Sequence, residues 1–480
     1  MARLVNQAPS GQQSCIIITG QPGIGKTCDL YYILVLRIIN KQPTLFQDRD
    51  CQVFLIKDEV YEVPPRGVLS LDQVYAKRLP KQDIFALVDG DGPNSVPQHV
   101  LLNKSIKIVL VSSPKTRDAW GWHIQNVMQD IEQTVTMEGW TWKDLAIAAL
   151  FMAGYDISLY RLQLSVAVCG LVPRTCVAGA ISAQALQHQM DSLTSSLKAI
   201  SHNIPRLALA IQIGIHAPEQ TFPHHVLHLH ADDARPQLTS AIVRPVSQWA
   251  LNAIDAELAT SREGAALELY EQVQGASSWC GNMWKRRVHA FFRSLPSERT
   301  FEIQSLDDRS HTLKITFPPA GFSLAFGPTQ SFTGHLATCM QDPKHSAYLT
   351  PISPVFATFD SFLYQRDFKV PGFRPLVRLQ MTDAETHPVG ITGLQEVQAL
   401  LKPDTALEDL CPLVPHKWIF VFVVPEHMAA SFPKQTYKEP SKKQKDPVGT
   451  WDKKVSQYVL GLGSEVWRCR AVAYHQETAL

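Results

Sequence analysis

The sequence predicts an α/β protein: a parallel sheet with helices on both faces and a helical lid, followed by a smaller α/β domain. Three observations lead there. An apolar strand runs into a glycine-rich turn and then an apolar helix at residues 15–39. Further apolar strands follow at helix-sized intervals, the mark of parallel strands joined by crossover helices. From Phe301 the pattern changes to β-rich segments punctuated by Pro and Gly.

The first strand is Cys15-Ile16-Ile17-Ile18-Thr19, short, apolar and β-branched. The turn is Gly20-Gln21-Pro22-Gly23-Ile24-Gly25-Lys26-Thr27, which fits the phosphate-loop (Walker A) pattern of Gly, four residues, Gly, Lys and Ser or Thr. Its glycines let the backbone curl so that N–H groups and the start of the following helix face phosphate oxygens. Lys26 is expected to face solvent and reach the β- and γ-phosphates, and the Thr27 hydroxyl to ligate Mg²⁺. Lys26 to Ile39 is apolar on nearly every face, so a helix buried against a sheet is expected.

The next strands read as Cys51–Lys57, Ile84–Val88 and Ile106–Val111. In such sheets a ligand sits beyond the carboxyl ends of the strands, and Thr19, Asp89 and Ser112 all fall there. Asp89 is placed to hold Mg²⁺, directly or through water; capping of an Asp-Gly-Asp-Gly turn is the other reading. Many ATPases carry a Glu immediately after this Asp to orient water. Here Gly90 stands in its place and Asp91 is the nearest acid, so nucleotide binding is better supported than hydrolysis. Ser112 or Ser113 is placed to sense a γ-phosphate. Arg117, Trp120 and Trp122 follow, and Thr141 with Asp144 forms a capping-box pattern at the start of a helix. Arg174, after Gly170-Leu171-Val172-Pro173, either reaches back over a nucleotide from a helical lid or is a surface Arg.

Residues 180–202 read as a polar helix, Pro205–Ile215 as an apolar stretch and Trp249–Glu271 as one amphipathic helix. On a strand, His228 and His230 share a face, with Asp232 and Asp233 beyond; a half-exposed strand explains them better than a metal pair. In the last part, strands are expected at Phe301–Gln304, Thr312–Phe317, Leu376–Met381 and Trp418–Val424, with a helix at Gly393–Leu401. The Lys-rich stretch Pro433–Pro447 reads as a solvated loop.

Composition narrows the class. A chain of 480 residues exceeds one ordinary core. The expected division is 1–170 for the ATPase core, 171–295 for lid and connector, and 296–480 for the last domain. A net charge of +1 excludes a global basic field for nucleic acid. Nine cysteines without metal-site spacing fit reduced thiols. No run reaches transmembrane length and no signal-peptide core is present, so an intracellular protein, cytoplasmic or nuclear, is expected.

Taken in order, several stretches resemble the Crinkler and retrotransposon-hot-spot (RHS) family. They are Ile18–Thr27, Ala86–Asp89, Ser112–Pro114, Trp140–Leu145, Gly170–Arg174, Phe359–Phe362 and Trp418–Pro425. The resemblance implies an ATPase module related to the AAA and STAND classes, followed by a restriction-endonuclease-like domain; some members are secreted effectors acting in host nuclei. The sequence departs from the family pattern in having no ubiquitin-like header, with about fifteen residues before the first strand. It departs again at the nuclease site. Asp360 supplies a first acid, but Gln380 stands where the second acid belongs and Thr382 where Lys belongs, so a degenerate site is expected. The expected function is ATP and Mg²⁺ binding by an ATPase that acts as a nucleotide-dependent switch. The alternatives are an ATP-dependent nuclease acting on DNA and a non-hydrolysing ATP-gated interaction module. Partners would be ATP, DNA on the nuclease reading, and further copies of the chain through the ATPase module.

Overall fold

In a computed structural model, residues 15–48, 50, 52–56, 59–63, 84–90, 98, 101, 106–112, 132–152, 157–201, 203–213, 225–231, 241–261, 264–274, 277–327, 329–341, 346–351, 358–402, 405–438 and 448–468 are described. The chain is mixed α/β and divides into two compact units, Met1–Glu257 and Leu258–Leu480.

The first unit is built on a seven-stranded sheet. Its strands are β1 (Cys15–Thr19), β2 (Thr44–Gln47), β3 (Val53–Ile56), β4 (Val60–Val63), β5 (Ile84–Asp89), β6 (Ile106–Val111) and β7 (Glu132–Thr136), in the order β4-β3-β2-β5-β6-β1-β7. The run from β2 to β7 is parallel throughout. The expected strand at Cys51–Lys57 is present as β3, but it is antiparallel: it folds back on β2 and continues into β4, extending the sheet as a meander. One layer of the core packs Ile17, Leu45, Ala86, Val88, Ile108 and Leu110; the other packs Ile16, Ile18, Phe46, Leu87 and Val109 with Leu30 and Leu34 of α1 (Lys26–Ile39). Alternate residues of each strand thus feed opposite layers. Helix α1 buries only one stripe. Leu30 and Leu34 face the sheet, as expected of a helix buried against it, whereas Tyr31, Tyr32, Val35, Ile38 and Ile39, which make the helix read as apolar on nearly every face, are exposed.

After β7, helices α2 (Trp142–Phe151), α3 (Leu159–Cys169), α4 (Pro173–Ile181), α5 (Ala183–Ser201) and α6 (Ile204–Ile213) follow, α3 to α6 packing each on the next. The capping box at the start of α2 is formed: Thr141 accepts from the Asp144 N–H and the Asp144 carboxylate accepts from the Thr141 N–H. Strands β8 (Leu227–Ala231) and β9 (Ala241–Pro245) form an antiparallel pair. The expected helix at Trp249–Glu271 is two, α7 (Gln248–Ser261) and α8 (Ala265–Gln272), with Gly264 at φ +81° leading into the second.

The second unit contains α8 and α9 (Ser277–Arg293), then β10 (Arg299–Ser305), β11 (Thr312–Phe317), β12 (Ser323–Phe326), α10 (Thr329–Gln341), β13 (Ala347–Pro351), β14 (Ser361–Tyr364), β15 (Phe373–Met381), β16 (Val389–Gly390), α11 (Ile391–Leu401), β17 (Lys417–Pro425), β18 (Tyr437–Lys438) and β19 (Val455–Leu462). Eight of these strands form one mixed sheet, β11-β10-β19-β17-β15-β14-β13-β12. β13, β14 and β15 form an antiparallel meander; after α11 the chain returns as β17, parallel to β15. The unbroken apolar run Trp418–Val424 is explained by its central place, buried on both faces between the parallel neighbours β15 and β19. Helix α9, read from sequence as connector, packs in this unit: Trp284 Nε1 donates to the Val423 carbonyl at 2.9 Å and the Phe292 ring stacks on Phe317.

Candidate functional site: the glycine-rich loop of the first unit

The loop leaves the carboxyl end of β1 and enters α1 at Lys26. Gly20, Gly23 and Gly25 have φ of +150°, +84° and +108°, backbone that L side chains rarely adopt, so the spacing of glycines follows from the curl of the loop. Two of them also meet close neighbours. A Cβ on Gly20 would stand 3.0 Å from the Met137 carbonyl oxygen, and one on Gly23 would stand 2.9 Å from Arg174 Cβ.

Lys26 departs from expectation. It is 3% exposed, and its Nζ donates to the carbonyls of Gly20 and Gln21, each at 3.1 Å. The ammonium therefore lies inside the curl, where it also holds the loop's own shape. Buried Gln21 has both amide atoms without a protein partner, and the buried Thr19 hydroxyl has none either. The loop thus carries unsatisfied polar groups of a kind that folded proteins seldom leave unpaired.

Neighbouring strand ends lie at the same margin of the sheet. Ser112 N–H donates to the Ile18 carbonyl at 3.0 Å and Met137 N–H to the Thr19 carbonyl at 2.7 Å. Asp89 closes β5, is buried, and lies in register with Val111 of β6, so one strand separates it from β1. Gly90 N–H donates to the Val111 carbonyl at 2.7 Å, and a Cβ on Gly90 would stand 2.7 Å from that same oxygen and 2.9 Å from Leu110 Cδ1. The strand end has no room for a side chain where many ATPases carry Glu. Asp91, Ser113, Arg117, Trp120 and Trp122 lie outside the described residues.

Arg174, at the start of α4, lies along the loop: its N–H donates to the Gly23 carbonyl at 3.4 Å. That contact is made by the backbone N–H, and the start of the Arg174 side chain lies beside Gly23 as well. Trp140 was not read as part of the site, yet its Nε1 donates to the Ile24 carbonyl at 2.9 Å. No spacing rule links positions 24 and 140, and only the fold brings them together. His230 pairs with Glu138 at 3.2 Å, and no group of three or more metal-binding side chains occurs among the described residues.

In the second unit Asp360 and Gln380 are brought together. Buried Asp360 accepts from Gln380 Nε2 at 2.7 Å and from Met381 N–H at 2.8 Å through one carboxylate oxygen, while the other pairs with Lys285 of α9. Thr382 accepts from Ala384 N–H. Lys285 comes from a helix far upstream of Asp360, beyond the reach of any local spacing. Asp383, next along, has its carboxyl pushed up to about 6 by burial.

The chain matches no protein-family model and no curated protein sequence. No helix among the described residues is long and apolar enough to cross a membrane.

Proposed function

We propose that the first unit is a P-loop module that binds ATP with Mg²⁺ and acts as a nucleotide-dependent switch, as the resemblance to Crinkler and RHS proteins implies. The observation that carries this reading is the loop itself: three glycines in the left-handed region around a buried ammonium, at the carboxyl margin of a parallel sheet that Asp89 also reaches. The residues fit the ligand. The curled backbone offers N–H groups, Lys26 offers a charge for the β- and γ-phosphates, and Thr27 and Asp89 offer oxygens for the metal. Bound Mg²⁺ would supply charge neutralisation between phosphates. Arg174 is the residue of the helical segment placed to register what the loop holds. With Gly90 fixed by its contacts, no carboxylate directly after Asp89 orients water, so slow turnover is expected and the switch reading is favoured over a fast ATPase. Calorimetric titration of the full chain with ATP–Mg²⁺ tests this; absence of binding by the wild-type chain rejects it.

A second reading, an ATP-dependent nuclease acting on DNA through the second unit, is favoured by one observation: Lys285 stands beside Asp360 and supplies the cation missing at Thr382. A second carboxylate for a metal is still absent there, Gln380 being neutral. Plasmid and single-stranded DNA incubated with the full chain and Mg²⁺ or Mn²⁺ decide the matter. Cleavage lost in Asp360→Ala supports this reading, and intact DNA rejects it.

A further inference from the structure

We propose that Trp140 is a positioning residue for the phosphate loop, acting through the peptide that joins Ile24 to Gly25; the inference rests on the nucleotide-binding reading. The indole Nε1 donates to the Ile24 carbonyl at 2.9 Å. That carbonyl and the Gly25 N–H belong to one planar trans peptide and point in opposite directions. Holding the oxygen toward the indole therefore turns the Gly25 N–H away from it. Gly25 lies at φ +108°, and a glycine there imposes little on the orientation of its own peptide. A flipped peptide would present a carbonyl dipole where a phosphate site needs an N–H. An external donor is what prevents the flip.

The donor is itself held. Trp140 N–H bonds to the Leu171 carbonyl at 3.1 Å, and the next residue, Thr141, caps α2. The indole packs on the loop, its Nε1 and Cζ2 lying 3.7 and 3.8 Å from where a Gly25 Cβ would stand. The preceding peptide is treated in the same way, its Gly23 carbonyl taken by the Arg174 N–H. Two successive carbonyls of the loop are thus bound by residues from outside it.

Trp140→Phe keeps an aromatic ring and removes the N–H. Titrated with inorganic pyrophosphate, the full-length variant should bind about fivefold more weakly than wild type, the worth of one neutral hydrogen bond. A second measurement uses wild-type protein alone, its ten tryptophans ¹⁵N-labelled at the indole. The Trp140 indole signal, assigned by its absence from the spectrum of Trp140→Phe or Trp140→Tyr, should shift on adding pyrophosphate and stay still on adding adenosine. A tie with only a structural role would leave the pyrophosphate affinity of a folded Trp140→Phe unchanged. Equal pyrophosphate affinity in a folded Trp140→Phe, or a Trp140 signal that stays still while wild type binds, overturns the role of Trp140 and leaves the nucleotide site standing. If neither variant folds, the Trp140 indole signal is assigned in wild type through the sequential backbone resonances of Trp140 and Thr141; its selective movement upholds the proposal and its stillness overturns it. Wild-type protein that binds neither pyrophosphate nor ATP overturns both.

Discussion

Lys285, on α9, is the ion-pair partner of Asp360, the residue that leads into β14. The carboxylate is buried, and its second oxygen is occupied by Gln380 Nε2 and Met381 N–H. Removing the ammonium leaves a buried charge with two neutral donors. Breaking a fully buried pair costs about 3–5 kcal/mol, but Lys285 is 35% exposed, so Lys285→Met is expected to lower stability by about 2 kcal/mol. Asp360→Asn in the same chain should return much of that loss, because the charge no longer needs compensation. Urea unfolding of the four forms measures the coupling, and strictly additive effects would mean that the pair does not form.

Lys26 holds the loop, and on the proposed reading it also meets the phosphates. Its Nζ satisfies the Gly20 and Gln21 carbonyls, so Lys26→Met removes a charge for phosphate and also loosens the curl. Hydrogen bonds to charged groups contribute about 1.5–3 kcal/mol, which corresponds to a loss of roughly 10- to 150-fold in ATP affinity. A small fall in melting temperature without nucleotide is expected as well. Calorimetry and a thermal melt report the two effects separately; unchanged ATP affinity would remove Lys26 from the site.

Strands β1, β5 and β6 are legible in the sequence because each is an apolar run that ends in or beside a distinctive residue, and the turn because its Gly, Lys and Thr keep a fixed spacing. Strand β7, Glu-Gln-Thr-Val-Thr, carries no apolar run, and β2 is four residues long; both owe their state to pairing with a neighbour. The composition of α1 marks a helix against the sheet but not which stripe it buries, because Tyr31, Tyr32, Val35, Ile38 and Ile39 lie off the one formed by Leu30 and Leu34. The loop's residue types were legible, but not the burial of Lys26 within its own curl. Trp140 beside Ile24 and Lys285 beside Asp360 were illegible for one reason: neither pair has a local spacing, and each depends on how distant segments pack.

Gly90 explains why the expected carboxylate is absent. A side chain there meets the Val111 carbonyl oxygen at 2.7 Å, backbone that cannot swing aside without disturbing β6. Gly90→Glu is therefore expected to destabilise the first unit by about 1–3 kcal/mol, in the manner of overpacking, rather than to confer ATP turnover. Asp89→Asn, which changes no volume, should instead weaken Mg²⁺-dependent nucleotide binding. Thermal melts and phosphate release distinguish the two; a stable Gly90→Glu variant with raised turnover would show that the strand end is more permissive than its contacts indicate.

Asp383 gives the second unit a pH dependence of definite sign. Burial against α9 raises its carboxyl to about 6 from an ordinary value of 3.8, and a Cβ on Gly281 would stand 3.2 Å from its Oδ1. The folded state then holds a proton that the unfolded chain releases. Stability from this group is complete below about pH 4, falls as pH rises toward 6, and is absent above that. His387 acts in the opposite sense, because burial lowers its pKa and folding favours its neutral form. The whole-chain profile therefore mixes the two, and the difference between wild type and Asp383→Asn isolates the carboxyl. The variant should match wild type near pH 4 and exceed it at pH 8 by about 1 kcal/mol, a figure reduced from the full shift because the carboxylate is partly exposed to solvent. Urea midpoints at pH 4, 5, 6 and 8 check this. A gap between the two proteins that does not widen between pH 4 and 6 would mean that Asp383 titrates in the folded chain as it does in the unfolded one.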